Sequence, residues 1–146
     1  MEQTLLEKIQ KKISKKVLRT FKIPGGCISP AYKLEMEDES FLFCKINPKE
    51  SKMFFCEHSG LEEIRKFNLR VPVVISCDDQ FILMEYIKPG FKDEGTFYNL
   101  GRSLAFMHSI RGEKFGFKED KFIGTTLQKN KQMSSWIDFY FENRLK

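Results

Sequence analysis

Pro89 and Gly90 divide this chain into a half that reads as strands and a half that reads as helices. Proline removes a backbone donor and glycine relaxes the backbone, so the pair interrupts regular structure of either kind. Before the break, residues 31 to 37 alternate, with Tyr32, Leu34 and Met36 on one side. The polar pair Asp38-Glu39 then leads into a second strand-like run at 41 to 47, which predicts a hairpin. Gly25 and Gly26 form a flexible turn after a further strand-like segment that begins near Phe21. Residues 51 to 67 read as a helix carrying Met53, Phe54, Leu61 and Ile64. Two more strands, 71 to 77 and 81 to 87, flank an Asp78-Asp79 turn.

After the break, residues 96 to 110 place Phe97, Leu100, Leu104 and Met107 on one helical face. Residues 111 to 130 are rich in Gly and Lys and read as loop, and 133 to 146 read as a strongly apolar helix. The chain opens with another helical pattern, 2 to 19, in which Leu6, Ile9, Ile13 and Val17 recur at helical spacing. That segment reads either as a membrane- or RNA-binding helix or as one that packs its apolar stripe on the domain; packing is the preferred reading. An acid-poor, Arg-rich transit peptide is disfavoured by Glu2, Glu7 and a single Arg.

Composition narrows the function classes. Hydrophobic residues make up 41% and charged residues 31%, enough apolar material for a packed core. Phenylalanine supplies 15 aromatic side chains, against four Tyr and one Trp, a large payload for burial. No apolar run approaches the roughly 18 residues of a membrane span, and no secretory signal core opens the chain. The net charge of +5 is localised: residues 1 to 22 hold seven basic and two acidic residues, and the rest is balanced. A nucleic-acid interface needs cations spread over a face, so neither nucleic acid nor membrane is an expected partner. Cys27, Cys44, Cys56 and Cys77 form no CxxC pair, and with only His58 and His108 a zinc site is not expected. Free thiols and a cytoplasmic location are the expectation.

The element order is helix, three strands, helix, two strands, break, helix, loop, helix. This predicts an α+β fold: a protein-kinase-like small lobe with a five-stranded antiparallel sheet and one inserted helix, followed by the first helices of a truncated large lobe. The expected boundaries are 1–20 for the amphipathic helix, 21–88 for the nucleotide-binding lobe and 89–146 for the incomplete helical part.

Kinase chemistry asks for a glycine turn that admits phosphates to backbone N–H groups, a strand lysine for the α and β phosphates, and a helix glutamate to orient that lysine. Gly25-Gly26 supplies a turn of that type, Lys45 is the lysine of the third strand, and Glu57 lies on the following helix. Taken singly, Lys45 also reads as an edge-strand lysine and Glu57 as a solvated helix acid. Their order favours the paired reading.

The sequence resembles the fructosamine kinase (ketosamine-3-kinase) family, relatives of the aminoglycoside phosphotransferases. The resemblance rests on GGCIS at 25 to 29 followed by AYKLE, FCKIN around Lys45, MFFCEHSGL at 53 to 61, RVPVVI at 70 to 75 and FILMEYI at 81 to 87. It continues in LGRSLAFMH at 100 to 108, FGFKEDKFIGTTLQKN at 115 to 130 and SSWIDFYFENRL near the end. The FGF to FENRL stretch is its most distinctive part.

The resemblance implies that Gly25, Gly26, Cys27 and Ile28 cover nucleotide phosphates, that Lys45 and Glu57 act as a pair, and that backbone around Glu85, Tyr86 and Ile87 meets adenine. ATP is the implied cofactor, and a glycated amine or protein is the substrate of an intact relative. Gly124, Thr125 and Gln128 match a family segment without an assigned chemical role, and Lys121 stands where the family usually has Asn. The family's catalytic loop, of the HGDLWxGN type, is expected beyond Lys146, and magnesium is expected only with it. The chain itself has no HxD sequence, so the expectation is a fragment inactive alone, which could act only if a second chain supplied the rest.

Asp138 and Asn143 mimic D-x-x-x-x-N spacing but read as helix-surface residues. Trp136, Ile137, Phe139, Tyr140 and Phe141 are expected to need a partner surface. The alternative function is a non-catalytic nucleotide-binding module or a redox-dimerising one, through a Cys27-linked homodimer.

Overall fold

The structure, a computed structural model, describes residues 1–146 except Cys27, Pro48, Glu50 and Asn68. The chain forms two compact units: Met1–His58 with Pro72–Pro89, and Ser59–Val71 with Gly90–Lys146.

The first unit is built on a five-stranded antiparallel sheet. Its strands are β1 (Val17–Ile23), β2 (Ala31–Met36), β3 (Phe41–Ile46), β4 (Val74–Cys77) and β5 (Phe81–Glu85), in the spatial order β1-β2-β3-β5-β4. The predicted hairpin is β2–β3, with Glu39 at φ 61° in its turn. Helix α1 (Gln3–Ile13) precedes the sheet, and α2 (Met53–Arg65) is inserted between β3 and β4.

Alternation assigns the faces. Cys44 pairs with Tyr32 on one side and Leu83 on the other, Leu34 pairs with Leu42, Val17 with Met36, and Ile46 with Phe81. These residues meet the apolar stripe of α1 (Leu5, Leu6, Ile9, Ile13) to make the core, in which Ile9, Leu34, Met36, Cys44, Phe81 and Leu83 are fully buried. The packed reading of the first helix therefore holds.

Its extent does not. The helix ends at Ile13: Ser14 turns into the left-handed region at φ 52°, and Val17 starts β1 with its N–H donated to the Gln10 side chain at 2.8 Å. Val17 is an apolar residue four positions after Ile13, and it is buried, but as a strand residue paired with Met36. Helical spacing and burial at that one position are the same observation, which is why the periodicity overran.

The lysines of α1 bind the sheet. Lys8 and Lys12 reach the Asp78 carboxylate at 3.0 and 3.5 Å, and Lys8 also donates to Gln80 at 2.7 Å. Asp78 in turn accepts from the N–H groups of Gln80 and Phe81, closing the β4–β5 turn. Burial pushes the Asp78 carboxyl up, but these hydrogen bonds outweigh it and leave it below its ordinary value.

The second unit contains α3 (Glu94–Ser109), β6 (Lys121–Ile123), β7 (Thr126–Gln128) and α4 (Trp136–Tyr140), which continues as one π-helical turn, Phe141–Leu145. Helix α3 begins at a reciprocal cap: Asp93 accepts from the Thr96 N–H at 2.7 Å and Thr96 accepts from the Asp93 N–H at 3.1 Å. The stretch 111 to 130 is not all loop. It contains the β6–β7 hairpin, turned through Gly124 at φ 63°. Three-residue strands are too short to announce themselves by alternation.

The family-like segment 115–144 packs around Phe139. Gly116 has φ 108°, and a Cβ there would stand 2.8 Å from the Phe139 ring and 3.0 Å from the Asn130 carbonyl, so only glycine fits. Buried Asn130 donates its side-chain N–H to the Glu119 carbonyl at 3.0 Å, receives Arg144 on its side-chain oxygen at 2.7 Å and gives its backbone N–H to Asp120 at 2.7 Å. Trp136 stacks with Phe115, Phe139 and Tyr140 at 5.5–5.8 Å. Of the five residues expected to need a partner surface, Phe139 is buried here, whereas Ile137 is 77% and Phe141 50% exposed.

Candidate functional site

The face of the sheet opposite α1 carries the site. Pairing places Ile23, Ala31, Lys45, Ile82 and Cys77 in one row, and Phe21, Lys33, Phe43, Met84 and Val74 in the next. Ala31, Ile82 and Met84 are buried on it, so Lys45 rises from an apolar floor.

Lys45 ends beside α2. Its Nζ lies 2.6 Å from Glu57 Oε1, with the two side chains 33% and 29% exposed. The entry of α2 is set by Ser51, whose hydroxyl accepts from the Met53 N–H at 3.3 Å and from the Asn47 side chain at 3.0 Å. Phe54, fully buried one turn before Glu57, fixes the rotation of the helix. The pair named from spacing alone is thus brought together across twelve residues and two elements. Lysine donates three hydrogen bonds, and one carboxylate oxygen occupies only one of them, leaving the ammonium able to meet a further anion.

Gly25 and Gly26 adopt φ 96° and 85°, where a side chain is strained, and no atom crowds the position a Cβ would take at Gly25. A turn of this kind lets main-chain N–H groups be approached closely. Ile28 is 48% exposed on the same turn. Cys27, both as a phosphate-loop residue and as a redox thiol, lies outside the described residues.

At the far end of β5, Glu85, Tyr86 and Ile87 follow one another into the segment leading to Pro89. Glu85 is tied to the chain before β4: its N–H donates to the Val73 carbonyl at 2.8 Å and its carboxylate accepts from the Val73 N–H at 3.3 Å. The Glu85 side chain is therefore engaged in structure, and backbone is what this segment offers a ligand. Tyr86 packs on Phe41 with ring centroids 6.2 Å apart.

The remaining candidates resolve differently. Asp138 is exposed in the first turn of α4 and its N–H is capped by Ser135. Asn143 is partly buried and donates to the Phe139 carbonyl at 3.0 Å, so it holds the helix rather than lying on its surface. Lys121 reaches the Ser59 hydroxyl and lies 4.1 Å over the Phe117 ring. His108 is exposed near the end of α3. Among the described residues Cys44 and Cys77 are thiols outside any disulfide. Burial, reinforced by the Asp78 charge, pushes the Cys44 thiol up to about 12 and the Cys77 thiol up to about 11. No group of three or more His, Cys, Asp and Glu able to hold a metal is gathered among the described residues. Nor is any helix there long and apolar enough to cross a membrane.

Sequence reasoning missed Gly116 and Lys33. Gly116 carried a signal, glycine between two phenylalanines, but its partner Phe139 is distant in sequence. Lys33 sits on the same face as Ala31 and Lys45 by simple alternation, which would have placed it.

Comparison with known proteins bears on the whole chain. The model of the fructosamine kinase family matches residues 1–146. A protein of Enterococcus faecium named as a ketoamine kinase is 34% identical over 128 residues, covering 84% of this chain and 44% of that protein. A protein-ribulosamine 3-kinase of Arabidopsis thaliana, named as chloroplastic, is 37% identical over 132 residues, covering 84% of this chain and 40% of its own length. A crystal structure from Thermobifida fusca, titled as a fructosamine-3-kinase, superposes with a TM-score of 0.84 at 26% identity, over 99% of this chain and 52% of that one. The chain thus spans about half the length, or less, of these relatives. The glycine turn, the strand lysine with its helix glutamate and the Phe139-centred motif all lie within the matched residues, and the protein-kinase-like sheet agrees with them: the chain belongs to the fructosamine kinase family.

Proposed function

We propose that this chain holds ATP, as the nucleotide-binding part of a ketosamine kinase. The observation that carries the reading is the 2.6 Å Lys45–Glu57 pair standing on an apolar sheet face. In this reading Lys45 meets the α and β phosphates, and Glu57 keeps the ammonium aimed. The Gly25-Gly26 turn, with Cys27 and Ile28, covers the phosphates. Backbone of Glu85 to Ile87 meets the adenine, against the floor of Ala31, Phe43 and Met84. The reaction served is transfer of the γ-phosphate to a sugar hydroxyl of a glycated amine. No residue described here is assigned as its base or as a magnesium ligand. Thiol chemistry at Cys27, linking two copies, is a separate proposal for that position.

Calorimetric titration of the 146-residue chain with ATP tests the reading. Saturable binding is expected, weakened at least about tenfold in Lys45→Met by loss of a charge-assisted contact. Absence of binding by the wild-type chain, or equal binding by Lys45→Met with the fold intact, would sink it.

A further inference from the structure

From the geometry around Tyr86 we infer that Lys33 is a positioning residue for the nucleobase. It clamps the segment after β5 through the rings of Phe41 and Tyr86; the inference rests on the nucleotide reading above and assigns it a residue that reading does not use.

The Lys33 ammonium stands 3.7 Å from the centroid of the Phe41 ring and 4.9 Å from that of Tyr86. The two rings lie 6.2 Å apart, tilted by 57°. Three stretches of chain meet at this one cation: β2 through Lys33, the start of β3 through Phe41, and the segment leaving β5 through Tyr86. A cation over two aromatic faces is attracted to the electron density of both, and the attraction grows as water is excluded. Glu35, next on the same face, is engaged by the Arg19 guanidinium at 2.7 and 2.9 Å. The carboxylate nearest in the strand is thus already paired, and the rings hold the lysine.

The consequence falls on the backbone of Tyr86. On one side Glu85 is fixed to Val73 by two hydrogen bonds. On the other, Tyr86 is fixed by Phe41 and Lys33. A short segment whose backbone groups beyond the Glu85 N–H are to meet a base gains affinity when its conformation is set before binding, because the ordering cost is not met at the moment of binding. Lys33 is given no phosphate contact in the nucleotide reading. Its row on the sheet is Phe21, Phe43 and Met84, one step removed from the row of Lys45.

The test uses the 146-residue chain as wild type, Lys33→Met and Lys33→Arg. Methionine keeps most of the side-chain length without the charge, and arginine keeps the cation. Three probes are titrated: ATP, adenosine and inorganic tripolyphosphate. Lys33→Met is expected to weaken ATP and adenosine alike, by about five- to tenfold for a lost cation–π clamp, and to leave tripolyphosphate unchanged. Lys33→Arg is expected to restore both. Hydrogen exchange of the ligand-free chain gives an independent readout. The amides of Glu85 to Lys88 should exchange faster in Lys33→Met, while those of Cys44 and Lys45 should not change. The inference is overturned by adenosine binding that Lys33→Met leaves intact. It is equally overturned by an arginine variant no better than methionine, or by a loss shared equally by tripolyphosphate. If the wild type binds no ATP, the nucleotide reading falls, and exchange alone judges the clamp: faster exchange upholds it as a brace, and unchanged exchange ends it.

Discussion

The sheet unit and the helical unit bury their apolar residues in opposite ways. In the first, α1 and five strands close over Ile9, Leu34, Met36, Cys44, Phe81 and Leu83, all fully buried. In the second, the 16 residues of α3 bury none of their number, and the buried residues among those described are Asn130 and Phe139, inside one short motif. The difference teaches that the stretch 115 to 144 is held together by its own packing. Gly116, Asn130, Trp136, Phe139 and Arg144 specify each other, and a small core with a buried amide tolerates little exchange. The site residues, by contrast, stand on a conventional sheet whose core accepts many apolar combinations.

Gly116→Val is the largest lever on that comparison. It places a branched side chain at φ 108° and against Phe139, at a cost of about 4 kcal/mol or more from strain and overpacking. The near-UV circular dichroism of Trp136, the only tryptophan, should collapse while amide protection in β2, β3 and β5 survives. If sheet protection is lost as well, the two units are not separable in energy.

Leu34→Ala is the mirror experiment. A cavity in the sheet core costs about 3 kcal/mol, read as a fall in the denaturant midpoint. The Trp136 signal should outlast β-sheet loss on the denaturant axis.

Asp78 sharpens the account of the first unit with pH. Its carboxyl is held below the ordinary value of 3.8, so the stability it contributes is present above that pH and is lost as the pH falls through the lower folded value. Asp78→Asn should cost about 1–3 kcal/mol at neutral pH by breaking the link between α1 and the β4–β5 turn. It should also flatten acid unfolding below about pH 4; an unchanged acid limb in thermal melts would contradict the link. Cys44 acts at the other end. Its thiol is raised to about 12, so the neutral form stabilises the fold below the ordinary value of 9.0, and that contribution is lost as pH rises towards 12.

The smallest effect is expected at Arg19. Its guanidinium grips Glu35 through two hydrogen bonds, but the arginine is 68% exposed, and Arg19→Ala should leave the thermal midpoint almost unchanged, with any small shift fading as salt is added.

Much of this was legible in order and alternation. The facing of Leu34 and Met36 follows from period-two patterning, the other strands and the inserted helix from apolar runs bounded by turn residues, and the break from Pro89-Gly90. The Lys45–Glu57 pair was legible because a charge within an apolar strand calls for a partner, and the next helix offers one. Three things were not legible. Val17 satisfied a helical and a strand pattern at once, and the Ser14 turn into left-handed backbone chose between them. The β6–β7 hairpin was too short for its pattern to show. Glu85 was named for its backbone, and nothing near it in the chain told that its side chain would serve Val73.

The sequence by itself determined the element order of the sheet unit, its apolar faces and which lysine would seek a carboxylate, because these depend on residue type and near spacing. Tertiary structure alone decided that Lys33 sits over Phe41 and Tyr86, that Lys8 and Lys12 meet at Asp78, and that Gly116 lies against Phe139. Those contacts join residues whose separation along the chain says nothing of distance. Only the pairing of strands and the closing of a core bring them within a few ångströms, where cation–π attraction, ion pairing and steric exclusion act.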